Sequence, residues 1–182
     1  MSTTVAVVTD HFVVIAGDTQ ASCSSGNFKT SKIFSKGDAL VGFCGDTIFK
    51  RTLQNMPDCQ AADEHDVEDW CNDLVLTLHT FAEQRGLLRA EGQMNFSLVV
   101  ASQFGIYHAS SNGAIDRIER GHYAAGSGGP FANGALAAMT IKDKTAIKSA
   151  TKAVMIASSL DDYTNDEVQA IYMEIPDDED TR

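Results

Sequence analysis

The order in which strand-like and helix-like patterns follow one another is the feature that most restricts the fold of this chain. Alternating or continuous apolar segments are typical of strands, and apolar residues spaced three and four apart are typical of helices. Two strands come first, followed by a third strand, two helices, four strands, two helices and a last strand. Because these blocks are segregated rather than alternating, the sequence favours a layered α+β fold over a doubly wound sheet.

The predicted elements can be placed by residue number. The first two strands, 3–8 and 12–16, form a hairpin, and Asn112-Gly113 marks another hairpin turn. The other predicted strands are 39–43, 96–101, 105–109, 113–118, 122–125 and 168–175. The predicted helices cover 46–56, 67–81, a segment starting at about Pro130, and 143–159. No linker or repeat divides the sequence, so residues 1–182 are predicted to form one domain that ends in an acidic, frayed tail at 176–182.

Composition limits the cellular setting. The chain has 182 residues, of which 43% are hydrophobic, but no apolar run approaches the roughly 20 residues of a membrane helix. The start MSTTVAVVTDHF lacks the basic and apolar regions of a signal peptide, so a cytoplasmic location is predicted. The four cysteines, Cys23, Cys44, Cys59 and Cys71, form no CxxC pair and are interpreted as free thiols.

The charge of the chain is strongly acidic. A net charge of −11 argues against nucleic-acid binding, which requires clustered Lys and Arg. Between Arg51 and Arg85 there is no basic residue other than histidine, and the acidic residues there are Asp58, Asp63, Glu64, Asp66, Glu68, Asp69, Asp73 and Glu83.

The N-terminus carries the first chemical signal. A residue as small as Ser2 allows removal of Met1, which would leave a hydroxyl and a free α-amine on one residue. An α-amine has an unperturbed pKa of about 7.7–8.0, so it can accept the proton of its own hydroxyl near pH 7. An ordinary frayed terminus is the alternative interpretation, and other residues are needed to decide between the two.

Four residues further along the chain complete a candidate active site. Asp18 ends the second strand beside the N-terminus, and Lys32 begins a short apolar segment, so the two can form a charge pair near Ser2. Gly45, at a strand-to-helix junction, can offer its backbone N–H to an oxyanion. Ser127, within Gly126-Ser127-Gly128-Gly129, can relay protons. A phosphate-binding loop is disfavoured because the segment lacks the Lys-Ser/Thr of a P-loop and has Phe131 where GxGxxG requires glycine.

Several motifs, in order, resemble one family. The segment MSTTVAVVTDHFVVIAGDTQAS is similar to the N-terminal hairpin of proteasome β-subunits and of bacterial HslV. The resemblance continues through Lys32-Ile33, VGFCG at 41–45, AGSGGPFA at 125–132 and DDYTN at 161–165, and so covers nearly the whole chain. It implies a four-layer α-β-β-α sandwich of two antiparallel sheets, and peptide-bond hydrolysis by an N-terminal nucleophile inside a stacked double ring.

The resemblance also assigns roles to residues. It implies Ser2 as nucleophile and base, Asp18 and Lys32 as the charge pair, Gly45 as the oxyanion donor and Ser127 as the relay. Asp161 and Thr164 match a pattern that positions the nucleophile in proteasome subunits, whereas HslV differs at the Asp161 position. The implied peptide-binding residues are Gln20, Ala21, Ser22, Thr47 and Phe49. Backbone carbonyls of Ser158, Asp161 and Thr164 match a monovalent-cation site, and no other cofactor is implied.

The serine nucleophile points to one branch of the family. Most members have threonine there, and a serine on an acidic, HslV-like chain resembles the beta-proteobacteria proteasome homologues (BPH). That resemblance implies a homo-oligomeric double ring, with fourteen subunits favoured over twelve, and leaves open whether an AAA+ unfoldase docks on it. In such a ring, the acidic stretch between Arg51 and Arg85 is expected to line the inner chamber and to attract cationic segments of substrates. The alternative is that it forms a solvated outer face of a helix.

Two questions stay open at the level of sequence. A cut after Ser2 would expose Thr3 instead. Strand parity places Thr3, Val5 and Val7 on the more apolar face, and the gap from Ser2 to Asp18 fits the family spacing, so Ser2 is favoured. The alternatives to a peptidase are an amidase that acts on small molecules and a catalytically silent ring subunit. For the first, the sequence shows no Arg or aromatic pocket near the nucleophile. The second would need Asp18 or Lys32 to be missing, and both are present.

Overall fold

Two antiparallel β-sheets, stacked face to face and covered on their outer sides by helices, make up the fold in the computed structural model. The structure describes residues 2–23, 26–90, 93–110 and 112–176, without the side chain of Cys23. Met1 and residues 177–182 of the predicted acidic tail lie outside the described residues.

The structure has eleven strands and four α-helices among the described residues. The strands are β1 (Thr3–Val8), β2 (Phe12–Asp18), β3 (Gln20–Cys23), β4 (Gly26–Lys29), β5 (Ile33–Lys36), β6 (Ala39–Gly45), β7 (Phe96–Ser102), β8 (Gly105–Ala109), β9 (Ile115–Ile118), β10 (His122–Gly126) and β11 (Val168–Glu174). The helices are α1 (Ile48–Asn55), α2 (Glu64–Gln84), α3 (Gly129–Ala137) and α4 (Ala146–Ser158). Among the described residues, no helix is long and apolar enough to cross a membrane.

The first sheet has the strand order β10-β1-β2-β11, and the second has the order β5-β6-β7-β8-β9. Strand β1 is therefore an inner strand, with Thr4 opposite Ala125 of β10 on one side and Gly17 of β2 on the other. Strands β3 and β4 form a separate hairpin. Because β1 is hydrogen-bonded on both sides, the start of the chain is held in a fixed position.

Three layers of apolar side chains hold the four structural layers together. One lies between α1, α2 and the second sheet and includes Phe49 and Leu78. Another lies between α3, α4 and the first sheet. The third, which includes Ile15 and Val99, lies between the two sheets. The predicted α-β-β-α sandwich is confirmed.

The structure corrects some predicted bounds. Strand β9 begins at Ile115 rather than at Gly113, because Gly113 lies in the turn and donates its N–H to Ser110 at 3.0 Å. The helix predicted over 143–159 consists of a 3₁₀ turn at Asp143–Thr145 followed by α4. The β3–β4 hairpin was not predicted as such. Its residues are mostly polar, and all four residues of β4 are exposed, so no apolar alternation marks it.

Strand β1 places alternate residues on opposite faces of its sheet. Val5 and Val7 pack under α3 and α4, whereas Ala6 faces the second sheet, so the two residue sets do lie on opposite faces. Both faces are buried, however, and Thr4 and Ala6 are as inaccessible as Val5. The apolar contrast between the faces therefore reflects two different cores, and not a core and a solvent side.

Helix α2 begins with a side-chain cap. The carboxylate of Asp63 accepts hydrogen bonds from the backbone N–H groups of His65 at 2.9 Å and Asp66 at 3.1 Å. Asp66 in turn accepts from the N–H of Ala62 at 2.8 Å. Asp63 therefore satisfies two unpaired N–H groups at the helix start, and Asp66 fixes the residue that precedes this cap.

We expect Asp63→Ala to lower the free energy of unfolding by about 1 kcal/mol, because the capping acceptor is lost. For a chain of this length, that corresponds to a fall in Tm of roughly 2–4 °C. Asp63→Ser, which keeps an acceptor, should lose less. Asp73→Ala changes an exposed carboxylate of the same helix and should stay within about 0.5 kcal/mol of the wild type. Thermal unfolding that ranks Asp73→Ala with Asp63→Ala contradicts the assignment of the cap.

Candidate active site

Ser2 immediately precedes β1 and lies beside a pocket of about 340 Å³. The residue is 4% exposed, and it shares the pocket wall with Lys32 and Gly45. Three of the residues that the sequence predicted to act together therefore border the same space, although they come from the residue before β1, from the segment before β5 and from the end of β6.

Asp18 and Lys32 form a buried ion pair. Lys32 Nζ lies 2.8 Å from Asp18 Oδ2, and the two side chains are 5% and 0% exposed. The carboxylate also accepts the N–H of Thr3 at 2.8 Å and the N–H of Gln20 at 2.9 Å. The backbone of Lys32 is itself fixed, since its carbonyl accepts the N–H of Phe43 at 2.8 Å. The predicted charge pair is present, and it is attached to β1 through the residue that follows Ser2.

Behind Ser2 lies a chain of hydroxyl groups around Asp161. Ser127 Oγ donates to Asp161 Oδ2 at 2.7 Å, and Thr164 Oγ1 donates to the same oxygen at 2.6 Å. A hydroxyl has only one proton. The short contact of 2.7 Å between Thr3 Oγ1 and Thr164 Oγ1 must therefore use the proton of Thr3. The single proton of Ser127 is likewise used in its bond to Asp161. The lone pairs of Ser127 Oγ, which lies 3.5 Å from the carbonyl oxygen of Ser2, are therefore able to accept a proton.

Gly126, which precedes Ser127, occupies a position that only glycine can fill. Its φ is +96°, and a Cβ atom there would lie 1.9 Å from the carbonyl oxygen of Ser2. Only glycine permits both the backbone conformation and the close approach. Gly126 thus allows the loop to bring Ser127 against the start of the chain.

Gly45 is restricted in a similar way. Its φ is +135°, and a Cβ atom would lie 2.3 Å from the carbonyl oxygen of Asn95. The next residue, Asp46, donates its N–H to that same carbonyl at 2.9 Å. Strand β6 therefore ends in a backbone conformation that requires glycine, at the wall of the pocket that Ser2 borders.

Most of the predicted peptide-binding residues line the pocket, but one does not. Gln20, Ala21, Ser22 and Thr47 are part of its wall. Phe49 is 1% exposed and packs its ring against Phe81 and Phe96, with centroids 6.1 and 5.8 Å apart. The prediction that Phe49 borders the cleft is therefore corrected. Its helical phase turns it into the core, and Ile48 faces the pocket in its place.

Further pocket residues were not singled out from the sequence. They are Thr30, Phe43, Asp46, Lys50 and Asn95. Asp46 and Lys50 could have been suspected, because both lie within one helical turn of Thr47. Asn95 comes from the segment before β7, and its Nδ2 donates to Asp46 at 2.7 Å. No pattern in the sequence connects residues 46 and 95, so this contact required the structure.

The geometry distinguishes Ser2 from Thr3. The side chain of Thr3 is fully buried and hydrogen-bonded to Thr164, and its backbone N–H is bonded to Asp18. Thr3 does not belong to the described wall of the pocket, whereas Ser2 does. The contacts of Thr3 are those of a residue that holds the start of β1 in place.

Cys44 is the other nucleophile-type side chain near the site. Its thiol is buried beside Thr4 Oγ1 at 3.4 Å and the carbonyl oxygen of Ala125 at 3.6 Å. Burial raises the pKa of Cys44 to about 11, so the thiol is neutral near pH 7. Cys44, Cys59 and Cys71 are free and buried, while the side chain of Cys23 lies outside the described residues.

The predicted cation ligands lie in and after the end of α4. Ser158 is the last residue of this helix, and the N–H of Thr164 donates to the carbonyl of Asp161 at 3.0 Å, which closes the turn between them. A carbonyl has two lone pairs, so one hydrogen bond leaves Asp161 able to bind a cation. Within the described part of the chain, no group of three or more His, Cys, Asp or Glu side chains could hold a metal ion.

Comparison with known proteins agrees with this arrangement. A family model described as "Proteasome subunit" matches residues 1–173. The fold is similar to that of Thiobacillus denitrificans BPH, with a TM-score of 0.79 and 24% identity over 97% of this chain and 100% of that one.

Two further solved structures give the same result. For Thiobacillus denitrificans BPH in complex with epoxomicin, the TM-score is 0.77 and the identity 23%, over 96% of this chain and 100% of that one. For eukaryotic HslV from Trypanosoma brucei, the TM-score is 0.69 and the identity 24%, over 95% and 99%. At these identities the likeness concerns the fold.

The ion pair leads to an asymmetric prediction. Asp18→Ala removes the acceptor for Lys32 and for two backbone N–H groups, and we expect it to lower the free energy of unfolding by about 3–5 kcal/mol. Lys32→Met leaves a carboxylate that still accepts both N–H groups. It should therefore be milder by at least about 1 kcal/mol. The measurement is chemical denaturation of both variants under identical conditions. Equal losses, or a larger loss for Lys32→Met, would mean that the backbone bonds to Asp18 contribute little.

Proposed function

The chain belongs to the proteasome-subunit family, and from that premise we propose that it is an endopeptidase with an N-terminal serine nucleophile. After removal of Met1, Ser2 attacks peptide bonds with its hydroxyl, and its own α-amine is the general base. The observation that carries this proposal is the position of Ser2. It borders the pocket next to Lys32, which a buried carboxylate holds in place, and Ser127 lies against its backbone.

The first chemical step forms an ester. Ser2 Oγ attacks the carbonyl carbon of the scissile bond while the α-amine takes the hydroxyl proton. The Lys32 ammonium, fixed by Asp18, places positive charge beside the nucleophile. This charge favours the alkoxide character that develops on Oγ and lowers the pKa of the α-amine, so that more of it is neutral near pH 7. A lysine without the carboxylate partner would be costly to bury.

The oxyanion of the tetrahedral intermediate needs a hydrogen-bond donor on the opposite side. We assign this role to the backbone N–H of Gly45, because the residue borders the pocket and has no side chain to obstruct it. Collapse of the intermediate breaks the C–N bond. The departing amine takes the proton held by the α-amine, and the acyl group stays on Ser2.

Water completes the cycle. It gives a proton to the α-amine and attacks the ester carbonyl, and the second intermediate collapses to release a carboxylic acid and regenerate the serine hydroxyl. Ser127 is suited to pass protons between water and the α-amine. Its own proton is directed to Asp161, and so its oxygen can accept one. Thr164 shares that carboxylate and, through Thr3, holds the start of β1.

For the assembly we propose a homo-oligomeric double ring, with fourteen subunits favoured over twelve. Several large apolar side chains in and after α4 are exposed in the single chain, as expected for a surface that other subunits cover: Ile147, Met155, Leu160 and Tyr163. Native mass spectrometry distinguishes the two sizes, and a monomer would contradict both.

The substrates would be peptides or unfolded proteins, with an AAA+ unfoldase as a candidate partner. A monovalent cation bound by the carbonyls of Ser158, Asp161 and Thr164 would stabilise the loop, and no catalytic step uses it.

A peptide epoxyketone tests the nucleophile directly. Such an inhibitor forms a ring with a hydroxyl and a free amine of the same residue, so we expect a covalent adduct on Ser2 of the Met-free chain. Intact-mass analysis followed by peptide mapping locates the adduct. The matched variants are Ser2→Ala, which should form none, and Thr3→Ala, which should still form one.

The opposite pattern would overturn the assignment. An adduct on Thr3 would mean that the mature chain begins one residue later, and no adduct on a Met-free wild-type chain would exclude this chemistry for Ser2. Retention of the adduct in Ser2→Ala would contradict the proposal as well.

A further inference from the structure

The pocket beside Ser2 contains three ionic side chains: Lys32, Asp46 and Lys50. Lys32 is neutralised by Asp18. Asp46 accepts a hydrogen bond from Asn95, and it is exposed to solvent, where ions screen its charge. Lys50 is half-buried, and its Nζ donates to the hydroxyl of Thr30 at 2.7 Å.

Lys50 has no carboxylate partner in the described part of the chain. No Asp or Glu oxygen there lies within 4.0 Å of its Nζ, and Thr30 supplies only a neutral acceptor. An ammonium group has three donors, so two remain for a ligand. Burial removes part of the hydration of the Lys50 ammonium and so lowers its pKa. An anion in the pocket would compensate for the lost hydration.

The position of Lys50 in α1 adds to the positive potential. The helix begins at Ile48, so Lys50 is in the first turn, where the helix dipole is positive and a cation is unfavourable. The first turn holds no acidic residue, and Thr47 makes no side-chain capping bond. A lysine at this position therefore lowers the stability of the helix. Residues that are unfavourable for local stability are found mainly at functional or strained sites.

The rest of the pocket wall suits the stem of an acidic side chain. Phe43, which is almost fully buried, and the more exposed Ile48 give the pocket wall its apolar surface. Methylene groups can pack on these two residues while a carboxylate reaches the ammonium. We infer that the pocket binds an acidic residue, with glutamate as the best fit, immediately before the peptide bond that Ser2 cleaves. This inference rests on the proposed function and names the substrate class of the same site.

The inference concerns the cut residue and not the approach of substrate. The acidic stretch along α2 and the net charge of −11 act over the whole surface and attract cationic segments during encounter. Lys50 acts within the pocket, where a short-range charged hydrogen bond outweighs the screened field of distant carboxylates. A basic surface patch on a substrate and an acidic residue at the cleavage point are therefore compatible.

The test uses three fluorogenic peptides that are identical except for the residue before the cleaved bond, which is Glu, Gln or Lys. Mass spectrometry of the products verifies that the cut follows the varied residue. We expect wild-type kcat/KM to be at least about tenfold higher for Glu than for Gln, which is the effect of one charged hydrogen bond. The Lys peptide should be the poorest of the three.

The variants identify Lys50 as the cause. Lys50→Met should bring the Glu to Gln ratio close to one, mainly through a higher KM for the Glu peptide, because the contact is made in the ground state as well as in the transition state. Lys50→Arg should keep most of the preference. Lys152→Met is the matched control, since it removes an exposed lysine of α4 and should leave the ratio unchanged. An epoxyketone adduct on Ser2 of Lys50→Met verifies that the site is intact.

Two kinds of failure can be told apart. If the wild type cuts these peptides without favouring Glu, or if Lys50→Met keeps the preference, the assignment of the pocket is overturned while the peptidase stands. If no peptide is cut and Ser2 takes no epoxyketone adduct, the proposed function and the pocket assignment fall together.

Discussion

A single buried carboxylate, that of Asp18, fixes the geometry on which the site depends. It binds the Lys32 ammonium and two backbone N–H groups, and one of these belongs to Thr3, the residue after Ser2. A buried charge is costly unless it is paired and hydrogen-bonded, so the position of the carboxylate and the positions of its three donors depend on one another. The start of β1 and the side chain of Lys32 are thereby held at fixed positions relative to each other.

The sandwich supplies what the ion pair cannot. Segments that are far apart in sequence meet because the two sheets stack, and the loop after β10 reaches the chain start because Gly126 leaves room for the carbonyl oxygen of Ser2. Asp161 then joins Ser127 and Thr164 on one oxygen. Each contact uses a different strand end or helix end, so the site is a property of the layer arrangement and not of any one motif.

Much of this could be predicted from the sequence. Apolar patterns and the Asn112-Gly113 turn signal predicted two hairpins, and apolar spacing predicted the helices. The first hairpin and the family resemblance together predicted Asp18, Lys32, Gly45 and Ser127 near Ser2. The prediction was wrong about Phe49, since the phase of a helix cannot be fixed to one residue before its first turn is known. It also passed over Lys50 and Asn95, because a pocket wall depends on which side chains remain uncovered after packing. The β3–β4 hairpin was not predicted, because its residues are mostly polar and show no apolar alternation.

The proposed mechanism requires a free α-amine on Ser2. A comparison of two chains that differ only in Met1 tests this requirement most directly. One chain, released from a cleavable N-terminal fusion, begins at Ser2, and the other keeps Met1. Intact mass verifies each terminus, and kcat/KM is measured on the same peptide. We predict that the chain beginning at Ser2 is active and that the chain with Met1 is slower by about a thousandfold or more, since it has lost its general base. Equal rates would contradict the mechanism, because a serine without a free amine would then be sufficient.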